Sequence, residues 1–240
     1  TDKSAFTKEF VWFVGPWSVF VLAGLPAGMR DRVIAVATDG RSRIAAAHGS
    51  FWHGDGMLAT TGRSRQFDAW RPVAWRIAIA GAGLALRIEE NGTQRAQVLF
   101  TAHGVELTGL DVDLPVALLA HVIRHPAARA GWRGDARFSS RSVACDWRGI
   151  CDGEMRIVWH AAGVDIVPDR RFGDYALALR LVAGNATAEL GTLAGEIRIA
   201  GRGEMTRDGG ASFDGTVEGE PEIVDRIPNV MDRNARPTGK

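Results

Sequence analysis

The sequence predicts an all-β fold behind a single membrane-spanning helix. Three observations predict it. An uncharged apolar run stands near the start, many short stretches with alternating apolar side chains follow, and glycine at 29 of 240 positions punctuates them with turns. This length is ample for a core and permits one large β domain or two small ones. The formal charge of +1 removes the electrostatic attraction that drives nucleic-acid binding.

The apolar run, Phe10 to Gly28, holds no charged residue and includes Phe10, Trp12, Phe13, Trp17, Phe20 and Leu22. At 1.5 Å per residue it is about 28 Å long, close to the hydrocarbon thickness of a bilayer, so these six residues are read as a membrane anchor. Gly15-Pro16 in its middle is tolerated in a membrane helix. A buried core helix and a removable signal peptide are the alternatives, the second without a compelling small-x-small cleavage pattern. Lys3 and Lys8 precede the run while Arg30, Arg32, Arg41 and Arg43 follow it, so the positive-inside count opposes export of the following domain; a long domain can cross regardless.

From Val33 the pattern changes to period two. Val33 to Ala37 and Arg43 to Ala47 flank Asp39-Gly40, a hairpin signal. Trp75, Ile77 and Ile79 share one face, and so do Leu84, Leu86 and Ile88 before the Asn91-Gly92 turn; Val98 to Ala102 and Val105 to Leu107 continue the series. One segment breaks the rhythm: Asp113 to His125, with an Asp cap, Pro115 in its first turn and Pro126 behind it, predicts a short helix. Strands resume at Gly134 to Phe138, Met155 to Trp159, Val164 to Val167, Tyr175 to Leu181, Thr187 to Leu190, Glu196 to Ile199 and Ser212 to Val217.

The chain's two cysteines, Cys145 and Cys151, lie within this second series, between its first two strands. Asp152-Gly153 reads as a tight turn, followed by a strand with Met155, Ile157 and Trp159 on one side. A disulfide closing so small a loop contributes roughly 2–3 kcal/mol and requires an oxidising compartment. Two free buried thiols, or redox or metal work, are the alternative readings; the five-residue gap is wrong for a thioredoxin-like pair.

Leu84, Leu86, Ile88, Met155, Ile157, Trp159, Leu177, Leu179 and Leu181 form the predicted apolar sheet face, which must be buried in a sandwich or a curved, U-shaped sheet. The domains follow: a cytoplasmic segment (1–9), a transmembrane helix (10–28), a periplasmic β domain (29–224) and a polar tail (225–240).

Catalytic signatures are missing. There is no phosphate-binding loop, nucleophile elbow, His-Glu-x-x-His or dinucleotide fingerprint. His121 and His125 have metal-ligand spacing on the predicted helix but lack a third ligand nearby, and His48 and His53 fare no better. Asp111 and Asp113 make an acid pair if extended, although helix capping explains Asp113 more simply. No cofactor, metal or catalytic residue is expected, and the chain is read as a non-enzyme.

An ordered set of short motifs resembles a known family. Leu25-Pro26-Ala27 follows the span, then Gly49-Ser50-Phe51-Trp52-His53-Gly54, Trp75-Arg76-Ile77, Asp111-Val112-Asp113-Leu114-Pro115, the cysteine pair with Gly153 and Trp159, and Leu193-Ala194-Gly195-Glu196-Ile197-Arg198-Ile199-Ala200-Gly201. Together these resemble the N protein of the type II (general) secretion system. The resemblance implies a single-pass bacterial inner-membrane protein with a periplasmic β domain. It would be a non-catalytic accessory, a scaffold or interaction protein, with secretion-system components and the lipid bilayer as partners. The rival functions are an envelope lipid-binding groove and an accessory subunit of another inner-membrane complex. The polar tail departs from the family pattern, where a further apolar strand or two is expected.

Overall fold

The computed structural model describes residues 42–61, 67–117, 131–165 and 170–220. The predicted membrane helix, the Val33 to Ala37 strand, His121, His125 and the tail beyond residue 224 lie outside them. Among the described residues no helix is long and apolar enough to cross a membrane.

The strands fall into two units, divided between Thr101 and Ala102. The first holds β1 (Ser42–Gly49), β2 (His53–Thr61), β3 (Phe67–Ala80), β4 (Gly83–Glu90) and β5 (Thr93–Phe100). The second holds β6 (Gly104–Pro115), β7 (Trp132–Asp146), β8 (Cys151–Val164), β9 (Gly173–Val182), β10 (Asn185–Gly195), β11 (Arg198–Met205) and β12 (Ala211–Glu218). In each unit every strand pairs antiparallel with its neighbour in sequence, so each is an open meander. Of the two arrangements open from sequence, the sandwich has no counterpart among the described residues of either unit.

Turn chemistry explains the hairpins. Asn91 and Gly92 both adopt positive φ, 50° and 76°, as a two-residue loop requires if it is to match strand twist. Ala183 and Gly184 repeat this geometry at 51° and 81°. There the Ala183 N–H donates to Asp152 Oδ1 at 2.8 Å and the Gly184 N–H to the Cys151 carbonyl at 3.2 Å.

Three expectations are corrected. Asp152-Gly153 is not the turn between β7 and β8: the chain reverses over Trp147 to Ile150. Asp146 organises that reversal, its Oδ1 accepting the N–H of Arg148 at 2.9 Å and of Ile150 at 2.8 Å. Gly153 lies inside β8, next to a register shift in β7, where an added Cβ would meet the Ser142 carbonyl oxygen at 2.4 Å. Close backbone approach, not reversal, is why a glycine stands there. Second, Asp113, Leu114 and Pro115 finish β6, opposite Arg137, Ala136 and Asp135; helix begins only at Val116. Pairing with β7 overrides the capping signal, and proline is tolerated at a strand end. Third, Val164 ends β8 rather than opening a strand, and Glu196 and Ile197 lie between β10 and β11.

The core of the second unit gathers where β8 ends and β9 begins. Ala162, Val164, Phe172, Tyr175 and Ile197 are buried together, with Trp132, Trp159, Leu190 and Ile199 packed against them. Trp159 meets the ring of Trp132 edge-on at 5.5 Å and donates Nε1–H to the Arg133 carbonyl at 2.9 Å. Trp159 and Tyr175 are anchored here by their polar handles, the Tyr175 hydroxyl donating to the Ile197 carbonyl at 2.9 Å.

Candidate functional site

The feature best suited to function is the pair of faces of the β6–β12 meander. Register defines them. On one side Val112, Phe138, Ile157, Leu177, Leu190, Gly201 and Gly215 lie opposite one another from β6 to β12. Beside that row run Met155, Leu179, Ala188, Gly203 and Phe213, and on its other flank Trp159 and Tyr175. Period-two alternation puts all of these on one face.

This face is only partly removed from water. Met155, Ile157, Trp159, Leu177, Leu179 and Leu181 are all half-buried, and full burial is reached at the Tyr175 and Ile197 end. Exposure grows toward the last two strands, where Met205 on β11 and Phe213 and Val217 on β12 are 52 %, 45 % and 42 % exposed. Glycines replace side chains there, and the Phe213 ring lies across them: a Cβ added at Gly201 would meet Phe213 Cζ at 2.5 Å.

In the first unit, considered separately, Leu84, Leu86 and Ile88 stand opposite Ile79, Ile77 and Trp75 on β3 and Phe100, Val98 and Ala96 on β5. Ile79 and Leu84, at the β3–β4 turn, are 80 % and 41 % exposed.

The opposite face of the second unit is charged. Arg137 donates Nε–H and Nη2–H to the two carboxylate oxygens of Asp111, each at 2.8 Å. Asp113 faces the same guanidinium in register, so Asp111 and Asp113 flank a cation instead of forming an acid pair. The Asp111 hydrogen bonds, and then the Asp111 and Asp113 charges, raise the Arg137 pKa above its ordinary value. Arg180 lies 3.5 Å from Glu154, and Arg202 donates to Glu189, a bond that likewise raises the Arg202 pKa. Near the core, Asp174 accepts the Ala161 N–H at 2.8 Å; that bond first, and His160 in addition, hold its carboxyl below the usual range.

The residues weighed for chemistry separate from one another. His48 Nδ1 lies 3.8 Å from Asp55, and His53 Nδ1 lies 3.3 Å from the Ser50 hydroxyl. Among the described residues no group of three or more His, Cys, Asp or Glu is placed to hold a metal ion. Cys145 and Cys151 are opposite one another across β7 and β8 and joined by a disulfide, with Cα atoms 4.0 Å apart.

Some contributors were not anticipated. Ile197 and Phe172 sit in connections and plug the core, and nothing in their spacing marks them. Glu90 binds both Arg71 and Arg95 at 3.0 Å, a triad assembled only when β3 pairs with β4. Asp146 carries a signal that sequence offers, an aspartate two residues before an Arg-Gly pair.

A family model described as type II secretion system (T2SS), protein N, matches residues 41–239. No curated protein and no solved structure matches the chain.

Proposed function

The chain belongs to the type II secretion system protein N family, and from that premise we propose that it is a non-catalytic accessory subunit of the secretion apparatus, acting by contact. The observation that carries this reading is the β6–β12 meander itself: an apolar face left half-exposed along Met155, Ile157, Leu177 and Leu179, backed by a charged one. Such a surface is a protein or lipid interaction surface in the making. Residues Phe10 to Gly28 anchor it in the bacterial inner membrane, with the β domain in the periplasm; their uncharged length supports the anchor, and the Cys145–Cys151 disulfide supports an oxidising compartment.

The half-exposed apolar face also favours a second reading, in which lipid acyl chains lie along it. One experiment separates the two. The full chain is isolated from native membranes in mild detergent, and everything bound is identified by mass spectrometry. Stoichiometric secretion-system proteins are the expected outcome. Lipid without them assigns the face to acyl chains, and an unrelated membrane complex, docked through Trp12 and Trp17, overturns the secretion role.

A further inference from the structure

We propose that the outer edge of β12 accepts an extended strand from a partner protein, one in which apolar side chains alternate with basic ones. It rests on the interaction role above only for the source of that strand.

Among the described residues β12 is the last strand of its meander, and it pairs with β11 from Ala211 to Glu218 without a register break. All eight of its residues are exposed. On the side away from β11, alternate N–H and C=O groups therefore point outward, the template for strand addition. Edges are usually blunted by charged side chains, lysine above all, by proline or by a bulge; β12 has no lysine, proline or bulge, and its two charges, Asp214 and Glu218, are both acidic. β1 is different: its register breaks between Ala45 and His48, and Ala46 has a φ of 48°.

The side chains define what fits. On the charged face Glu189, Arg202 and Asp214 stand opposite one another on successive strands, so the sign alternates; Arg198 and Glu218 repeat the step. Arg202 gives its hydrogen bond to Glu189, on the side away from Asp214. The next strand continues the alternation by placing cations opposite Asp214 and Glu218. A second copy of β12 offers no cation to Asp214 or Glu218, and in the register that sets Asp214 against Glu218 it brings acids against acids. On the other face Phe213 and Val217 are exposed on either side of Gly215, so the incoming strand must be apolar there. Backbone hydrogen bonds supply affinity, and the two acidic positions supply selection.

The test uses the full chain and three synthetic nine-residue peptides: alternating valine and arginine, alternating valine and glutamate, and the arginine peptide with prolines replacing valines. Amide hydrogen exchange reads the edge. The expected result is slowed exchange confined to β12 and its new neighbour, with the arginine peptide about tenfold tighter than the glutamate peptide, as two cross-strand charge pairs allow. In the doubly substituted chain, Asp214→Lys with Glu218→Lys, the preference reverses while circular dichroism is unchanged. Equal binding of both charged peptides, equal binding of the proline peptide, or protection elsewhere overturns the proposal. So does protection of β12 in the free chain that disappears when residues 221–240 are removed, since the edge is then occupied by the chain itself. Any of these failures leaves the secretion-system role, read by native-membrane isolation, standing.

Discussion

Tyr175 is the only tyrosine in the chain, buried with its hydroxyl donating to the Ile197 carbonyl at 2.9 Å. Burial first, and the nearby Asp174 charge second, push its pKa from 10.0 up to about 12. A raised acid pKa favours the neutral form in the folded chain. Its stabilising contribution is therefore complete below pH 10 and lost as pH rises toward 12. Absorbance at the phenolate band reads this one residue: the expected midpoint lies near 12 in the folded chain and returns to about 10 in denaturant. Tyr175→Phe leaves the Ile197 carbonyl without its donor and costs about 1–3 kcal/mol in a denaturant titration. Ala183 illustrates the opposite case, a side chain in a backbone region that prefers glycine, with φ of 51°. Ala183→Gly relieves that conformation without touching the Asp152 bond, so a gain of about 1 kcal/mol is expected from the same titration.

At the scale of elements, the β7–β8 hairpin carries the most testable claim. Its closing disulfide restricts a loop of only a few residues, so replacing Cys145 and Cys151 with serine is expected to cost about 2 kcal/mol, read by thermal melting against the oxidised chain. The same hairpin shows what was legible. Alternation placed Met155, Ile157 and Trp159 on one side of β8, and in register Met155 and Ile157 stand opposite Leu179 and Leu177. Two-residue turns were legible where dipeptide and geometry agree, as at Asn91-Gly92. Asp152-Gly153 misled because a glycine admitted for close backbone approach looks the same, in one sequence, as a glycine admitted for reversal. Asp113-Leu114-Pro115 misled for another reason: a cap signal is local, while the partner that keeps those residues extended, Asp135 to Arg137, is remote in sequence. The apolar face was legible as a pattern. Its half-exposure was not, because alternation says which side faces away from water and nothing about whether a second layer exists.

At the scale of the molecule, strands whose ladders join only sequence neighbours make stability largely a sum of adjacent interfaces. Leu190 joins β9 and β11 by facing Leu177 and Gly201. Leu190→Ala is expected to cost about 2–4 kcal/mol and to accelerate amide exchange first in β9, β10 and β11, leaving β6 and β7 protected until global unfolding. Uniform acceleration across the second unit would refute this. Sequential pairing also bears on how such a chain changes length over generations. Duplicating or excising one hairpin, such as β9 with β10, leaves each remaining strand beside a partner that follows it in the chain, and no crossing connection has to be rebuilt. Each such event widens or narrows the sheet by about 9–10 Å, two interstrand spacings. The width of the meander is therefore a heritable quantity adjustable in steps, as the number of rungs sets the length of a ladder.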